Sequence, residues 1–300
     1  MLNTVDEYLS QLKSALQGCD QATVQDALAD AEDHLRTALA GATNAQPTAP
    51  EPEALAKIID DYGTPEEVAS AYREIERRLP PVLAPSIQPQ NRSLWVRFFG
   101  VIADPRAWGA LLYMLISLLT GIIYFTWAVT GLSLSVGLIV LIIGVPFILL
   151  FLLSVRGISL VEGRIVEALL GVRMPRRSNF VDRNKGFWGR LKDLVLSWQV
   201  WKTLIYMVLM LPLGVIYFSL FVTLISLGVG FMAAPFVQLF FHYSVININS
   251  VSYYISLWQA PFWLAAGALI VLLSMHFAKL LGRVQGTFAR LMLVERPDLP

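Results

Sequence analysis

The chain has 300 residues, 56% of them hydrophobic and 15% charged, with a mean hydropathy of +0.59. That excludes an ordinary soluble domain, all the more because residues 107–155 and 203–278 contain no Asp, Glu, Lys or Arg. The formal net charge of +1 conceals a division, since residues 1–78 carry 15 acidic and 6 basic side chains (net −9) and the rest 7 and 17 (net +10).

The N-terminal stretch is acidic and amphipathic, which predicts no cleavable signal peptide. Four short helices are expected over residues 1–79. Val5, Leu9, Leu12 and Leu16 form one apolar stripe, and Val24, Leu28, Ala31, Leu35 and Leu39 a second. Leu55, Ile58, Ile59 and Tyr62 form a third, closed by Gly63. Thr64, Pro65, Glu66 and Glu67 then supply an N-cap, a proline at the first helical position and a capping-box Glu for a helix presenting Val68, Tyr72, Ile75 and Leu79. Each helix is apolar on one side, so the four form a small bundle or share a face with a partner. The carboxylates Asp26, Asp30, Glu32, Asp33, Asp60, Asp61, Glu66 and Glu67 lie on helices, whereas calcium needs alternating acids on a loop around a Gly. A solvated acidic face is therefore expected. The single cysteine, Cys19, excludes an internal disulfide framework and reads as an inert thiol at a helix edge. Residues 80–92, rich in proline, make a linker.

Residues 94–137 and 187–230 are one sequence written twice at an offset of 93, with 17 of 44 positions identical and no gap. Trp95, Arg97, Trp108, Tyr113, Gly121 and Gly137 recur as Trp188, Arg190, Trp201, Tyr206, Gly214 and Gly230. Each copy opens with a basic, Trp-bearing lead-in of the kind that lies in a membrane interface, followed by a long uncharged stretch. A bilayer core needs about 20 apolar residues per crossing. The expected spans are residues 108–130, 134–155, 203–226 and 262–281, with a turn at 131–137 and an external insertion at 231–261. Residues 152–154 match 272–274 at an offset of 120, so the second copy has gained 27 residues. The fold class expected is all-α: two tandem membrane hairpin repeats (93–186 and 187–300) behind a small N-terminal helical bundle. Trp95, Trp108, Trp188, Trp201 and Trp263 belong to interfacial belts.

Ten Lys and Arg lie in residues 156–202, and the tail adds Lys279, Arg283, Arg290 and Arg296. The first hairpin turn and the insertion have none, so both termini and the middle loop are expected on the cytoplasmic side of a bacterial inner membrane. The sequence shows no Walker loop, dinucleotide fingerprint or Cys/His cluster, and no catalytic, cofactor or metal site is expected. His276 reads as a bundle-facing polar residue, and one histidine, His242, is a poor metal site. The absence of charge within the spans argues against ion-coupled transport.

Leu9, Leu12, Leu16, Asp30, Glu32, His34, Leu35, Ile58, the run Tyr62–Gly63–Thr64–Pro65–Glu66, and Val68–Ala69 together resemble the HAAS-type helical signalling domain. Asp104–Pro105–Arg106, Trp108, Tyr113, Gly121, Gly144, Pro146 and residues 168–172 resemble the sensor membrane domain found ahead of the kinase in actinobacterial sensor histidine kinases. The 300 residues include no phosphoacceptor-His helix and no ATP-binding module. The HAAS resemblance implies a PadR-like transcriptional regulator as partner, engaged without direct nucleic-acid contact.

The expected function is a non-enzymatic membrane signalling protein. The external insertion, through His242, Tyr243, Asn247, Asn249, Tyr253, Tyr254 and Trp258, or else the cleft between the two repeats, would sense a lipid, a hydrophobic compound or envelope stress. The head would pass the signal on through Asp30, Glu32, Asp33, His34, Asp60, Asp61, Glu66 and Glu67. Its acidic surface suits a basic one, either the regulator's or this chain's own residues 173–177 and 183–192. The alternative is an accessory or scaffold subunit of a larger membrane complex, or of a homo-oligomer, embedded in the lipid bilayer.

Overall fold

The computed structural model describes residues 4–45, 51–84, 94–139, 144–176, 187–241, 246–248 and 251–294. The head consists of α1 (Val5–Ala15), α2 (Gln21–Ala45), α3 (Glu51–Tyr62) and α4 (Pro65–Arg78). The capping box forms as its spacing requires: Glu67 N–H donates to Thr64 Oγ1 (3.4 Å) and the Glu67 carboxylate accepts from Thr64 N–H (2.8 Å). The four apolar stripes close on one core, in which Tyr8, Leu12, Leu16, Leu35, Leu55 and Ala69 are fully buried.

Tyr8 links the first helix to the end of the third, its hydroxyl donating to Gly63 O at 2.8 Å. Gly63 sits at φ +110°, a conformation that glycine adopts without a Cβ penalty. Burial, with the charges of Glu66 and Glu67 adding to it, pushes the Tyr8 phenol up to about 12. The folded head therefore favours the protonated phenol. Roughly 2 kcal/mol of stability is present below pH 10 and lost as pH rises toward 12. Limited proteolysis of the full chain at pH 9 and pH 11 is expected to show head protection falling in the wild type. In Tyr8→Phe it should be about 1 kcal/mol weaker at pH 9 and flatter between the two. Parallel losses would remove Tyr8 as the cause.

The membrane body begins with α5 (Leu94–Phe99) and a 3₁₀ turn (Gly100–Ala103), then breaks at Asp104 before α6 (Pro105–Leu138). The second copy repeats this as α8 (Phe187–Leu196), a break at Ser197, and α9 (Trp198–Phe241). A tryptophan closes each break: Trp108 Nε1 donates to Ile102 O at 2.7 Å, and Trp201 Nε1 to Val195 O at 2.9 Å. Donors and acceptors are both 93 residues apart. The body is completed by α7 (Gly144–Leu170) and α10 (Ala260–Leu293). Four helices, α6, α7, α9 and α10, are long and apolar enough to cross a membrane.

The expected boundaries differ at several points, and the second span, expected at 134–155, is α7 (Gly144–Leu170), with residues 134–138 belonging to α6. The turn expected at 131–137 is helix, and α6 continues to Leu138 before α7 starts at Gly144. Gly131 packs under the Phe151 ring, where a Cβ would overlap the ring carbons. It is a packing glycine, and an apolar helix keeps its backbone bonded internally through such a residue. The spans expected at 203–226 and 262–281 lie inside longer helices, α9 running 44 residues through Pro212 and Pro235. The first part of the insertion accordingly extends α9. After it come two short antiparallel strands, β1 (Ile246–Ile248) and β2 (Val251–Tyr253), paired Ile246 to Tyr253. Apart from them, the regular structure among the described residues is helical.

The chain divides into two compact units. The first holds the head, residues 128–206 and residues 287–300; the second holds residues 85–127 and 207–286. In the second, Gly121 of α6 and Gly214 of α9 mark a close helix crossing. A Cβ on Gly121 would lie 2.5 Å from Met210 O, and one on Gly214 would overlap Ser117 O.

Candidate functional site

In the first unit, α7 ends at Gly171 (φ +68°), where the carbonyl of Leu83 occupies the space a Cβ would need. From there residues 171–176 run without helix as a strap against the head. Arg173 is the anchor: Nη1 donates to Thr23 Oγ1 (3.0 Å), Nη2 donates to Leu79 O (2.9 Å), and the Glu76 carboxylate lies 3.9 Å away. Arg176 N–H donates to Asp26 Oδ1 at 2.6 Å. Arg290, on α10, pairs with Asp20 at 2.9 Å, and Asp20 N–H in turn donates to Glu76 (3.2 Å). Met174 and Pro175 are buried between these polar contacts, Met174 Cβ resting against Gly163 of α7.

The receptor for Arg173 is thus a hydroxyl near the start of α2, a carboxylate of α4 and the carbonyl just past the end of α4. A helix C-terminus favours a cation, and the planar guanidinium reaches two acceptors from two different nitrogens while facing the Glu76 carboxylate. Its side chain is only 15% exposed, so these contacts are worth more than surface ion pairs of about 0–1 kcal/mol each. Under the strap lies a cavity of about 30 Å³ bordered by Gln25, Arg156, Met174, Gln199, Thr203 and Leu293. Gln199 Oε1 is buried there with no hydrogen-bond partner among the described residues.

The residues expected to pass the signal on stand elsewhere, and of the acidic face only Asp26 meets the strap. Asp30 accepts from Tyr72 (3.1 Å) and Tyr62 (3.4 Å), Glu32 pairs with Arg36 (3.0 Å), and Glu67 serves the capping box. His34 stacks on Tyr62 with ring centroids 4.5 Å apart. Asp33, Asp60, Asp61 and Glu66 are exposed. The residues meeting the body are Asp20, Thr23, Asp26 and Glu76. Only charge complementarity pointed that way, because the spacing of α2 does not reveal which turn faces the strap.

Of the expected sensing residues, His242, Tyr243 and Asn249 lie outside the described residues. Asn247 is in β1 and Tyr253 in β2. Tyr254 and Trp258 are exposed, Trp258 meeting Phe262 edge-on at 6.4 Å. The segment is anchored by Gln238 of α9, whose amide donates to Ile255 O (2.7 Å) and accepts Ile255 N–H (2.6 Å). Trp95, Trp108 and Trp201 are exposed, and Trp263 meets Phe231 edge-on at 5.0 Å. The side chain of Trp188 lies outside the described set.

His276 stacks on Phe98 and shares a 3.0 Å hydrogen bond with its carbonyl, while Lys279 donates to Asp104 at 2.5 Å. Both contacts pin the lead-in to α10. Burial works to raise the Asp104 carboxyl; the Lys279 and Arg106 hydrogen bonds and charges overcome it and hold it below its ordinary 3.8. Asp104→Asn is expected to cost about 1–2 kcal/mol at neutral pH. The deficit should shrink as pH falls from 3.8 through the lowered folded value, since the carboxyl stabilises only while ionised. Melting in detergent at pH 7 and pH 3 checks this, and a deficit equal at both would exclude the ion pair.

Two buried polar clusters were not found from sequence. Tyr206 donates to Glu162 at 2.7 Å, and Gln285 joins Tyr113 and Tyr217 at 3.3 and 3.1 Å. The tyrosines recur in the repeat, but their partners come from helices with no matching signal. Among the described residues no group of three His, Cys, Asp or Glu side chains could hold a metal ion.

Four helices long and apolar enough to cross a membrane, joined to a helical head, are the architecture of a multi-pass membrane protein. The chain belongs to the family described as "Putative sensor", whose model matches residues 113–293, more than half its length. A HAAS model matches residues 7–71, which are the head. No curated protein and no solved structure matches the chain.

Proposed function

We propose that this protein is a non-enzymatic relay in a bacterial cytoplasmic membrane, passing an envelope or lipophilic signal to a cytoplasmic partner through its acidic head. The supporting observation is the grip of Thr23 and Glu76 on the Arg173 guanidinium and of Asp20 on Arg290, with Asp26 accepting the Arg176 backbone N–H: the head holds a basic surface by charge and by arginine geometry. The partner class that the HAAS match suggests is a PadR-like regulator. Signal entry is assigned to the uncharged segment around Tyr254 and Trp258, with both termini inside.

The test is co-purification of the full chain from membranes in mild detergent at low and high salt. A soluble DNA-binding protein that leaves with salt supports the relay. A stoichiometric membrane partner with no soluble one overturns it in favour of a scaffold subunit. The topology has its own test, labelling intact cells with an impermeant maleimide in a Cys19→Ser background. Tyr254→Cys is expected to react and Lys185→Cys to remain silent; the reverse pattern refutes the orientation.

A further inference from the structure

We infer that the face of the head formed by Asp20, Thr23, Asp26, Glu76 and the Leu79 carbonyl is an arginine-reading docking surface, occupied by the chain's own strap as a built-in competitor. The inference rests on the head being the output module and adds which surface it uses, what it reads and what covers it. The occupant seen is residues 171–176, so the external ligand is a short basic segment of a cytoplasmic protein that presents an arginine and a backbone N–H to this face.

Three observations converge on this face. First, Arg173 is recognised as a ligand would be, through three different groups from two head helices. Second, the neighbouring cation, Arg290, comes from a distant part of the sequence yet reaches the same carboxylate cluster, so the face collects cations from two body elements. Third, the strap's only fully buried large side chain, Met174, sits against Gly163 of α7, and it is absent from the head core formed by Tyr8, Leu12, Leu16, Leu35 and Leu55. Removing the strap would leave that core whole. Among the described residues the exposed Asp33, Asp60, Asp61 and Glu66 have no such seated ligand, which sets this face apart from the rest of the acidic surface.

Binding by a partner and docking by the strap are then mutually exclusive, and whatever moves α7 or α10 changes the exposure of the face. A short tethered strap competes at high effective concentration, so an external segment succeeds only when the strap is weakened.

The experiment uses the full chain in nanodiscs, with a fluorescent synthetic peptide of residues 171–176 as probe. The Arg173→Ala/Met174→Asp/Arg290→Ala variant is expected to bind the peptide at least ten-fold more tightly than the wild type. Its affinity should fall with added salt and be lost when Glu76→Gln and Asp26→Asn are added. Head resistance to protease shows that each variant is folded; if the triple variant is not, Arg173→Lys serves, with a smaller gain of the same sign. Equal peptide affinity for wild type and folded variant overturns the inference, as does binding that survives Glu76→Gln/Asp26→Asn. Regulator capture is read separately. Capture without a peptide effect leaves the relay standing and removes the competitor, whereas a peptide effect without any soluble partner does the opposite.

Discussion

Alanine at Gly121 or Gly214 is expected to break the close helix crossing of the second unit and with it the folded membrane body. At Gly121 the new Cβ would lie 2.5 Å from Met210 O and 2.9 Å from its carbonyl carbon, and at Gly214 it would overlap Ser117 O. The obstacle in each case is helix backbone, which cannot rotate away as a side chain can. In lipid, helices associate by close packing at small residues rather than by a hydrophobic drive, so a forced separation loses contacts along the whole crossing. Overpacking of an ordinary core costs about 1–3 kcal/mol, and a backbone clash exceeds that range. The control is internal to the sequence. Gly137 and Gly230 also recur at the offset of 93, but a Cβ on either would meet nothing within 4 Å. Fluorescence-detected size exclusion after heating in detergent is expected to show Gly121→Ala and Gly214→Ala collapsed, with Gly137→Ala and Gly230→Ala like the wild type. Wild-type behaviour of the first pair would mean that the crossing is not as close as described.

These four glycines also show how far the sequence could be read. The repeat identified all of them as equivalent pairs, and periodicity alone could not separate the pair at a crossing from the pair in open space. Gly131 misled for the same reason: a glycine after an apolar run reads as a turn, and only the Phe151 ring above it reveals packing. The junction of α3 and α4 was legible to the residue, because Thr64, Pro65, Glu67 and Gly63 are local signals with local causes. The docking face was legible only as a charge imbalance. Arg173 was singled out by sequence as part of a basic segment, but Thr23, Glu76 and the Leu79 carbonyl meet it through tertiary placement that no spacing encodes.

Met174→Ala is expected to loosen the strap without touching the head. Met174 is 1% exposed, yet its neighbours include Gly163 of α7 and the cavity of about 30 Å³, so its burial stabilises the docked arrangement rather than the four-helix core. Truncating a buried Met costs about 2–5 kcal/mol, and the lower figure applies where packing is already incomplete. About 2 kcal/mol corresponds to roughly a 30-fold change in the docked-to-undocked ratio. The amide of Arg176, donated to Asp26, reports that ratio through hydrogen exchange, because it is freed by local opening alone. Its exchange should accelerate about 30-fold in Met174→Ala, while the amides of α1 and α3 keep their wild-type rates. Acceleration spread equally over α1 and α3 would make Met174 a structural part of the head. No acceleration at Arg176 would mean that Arg173 and the Arg176 N–H hold the strap by themselves.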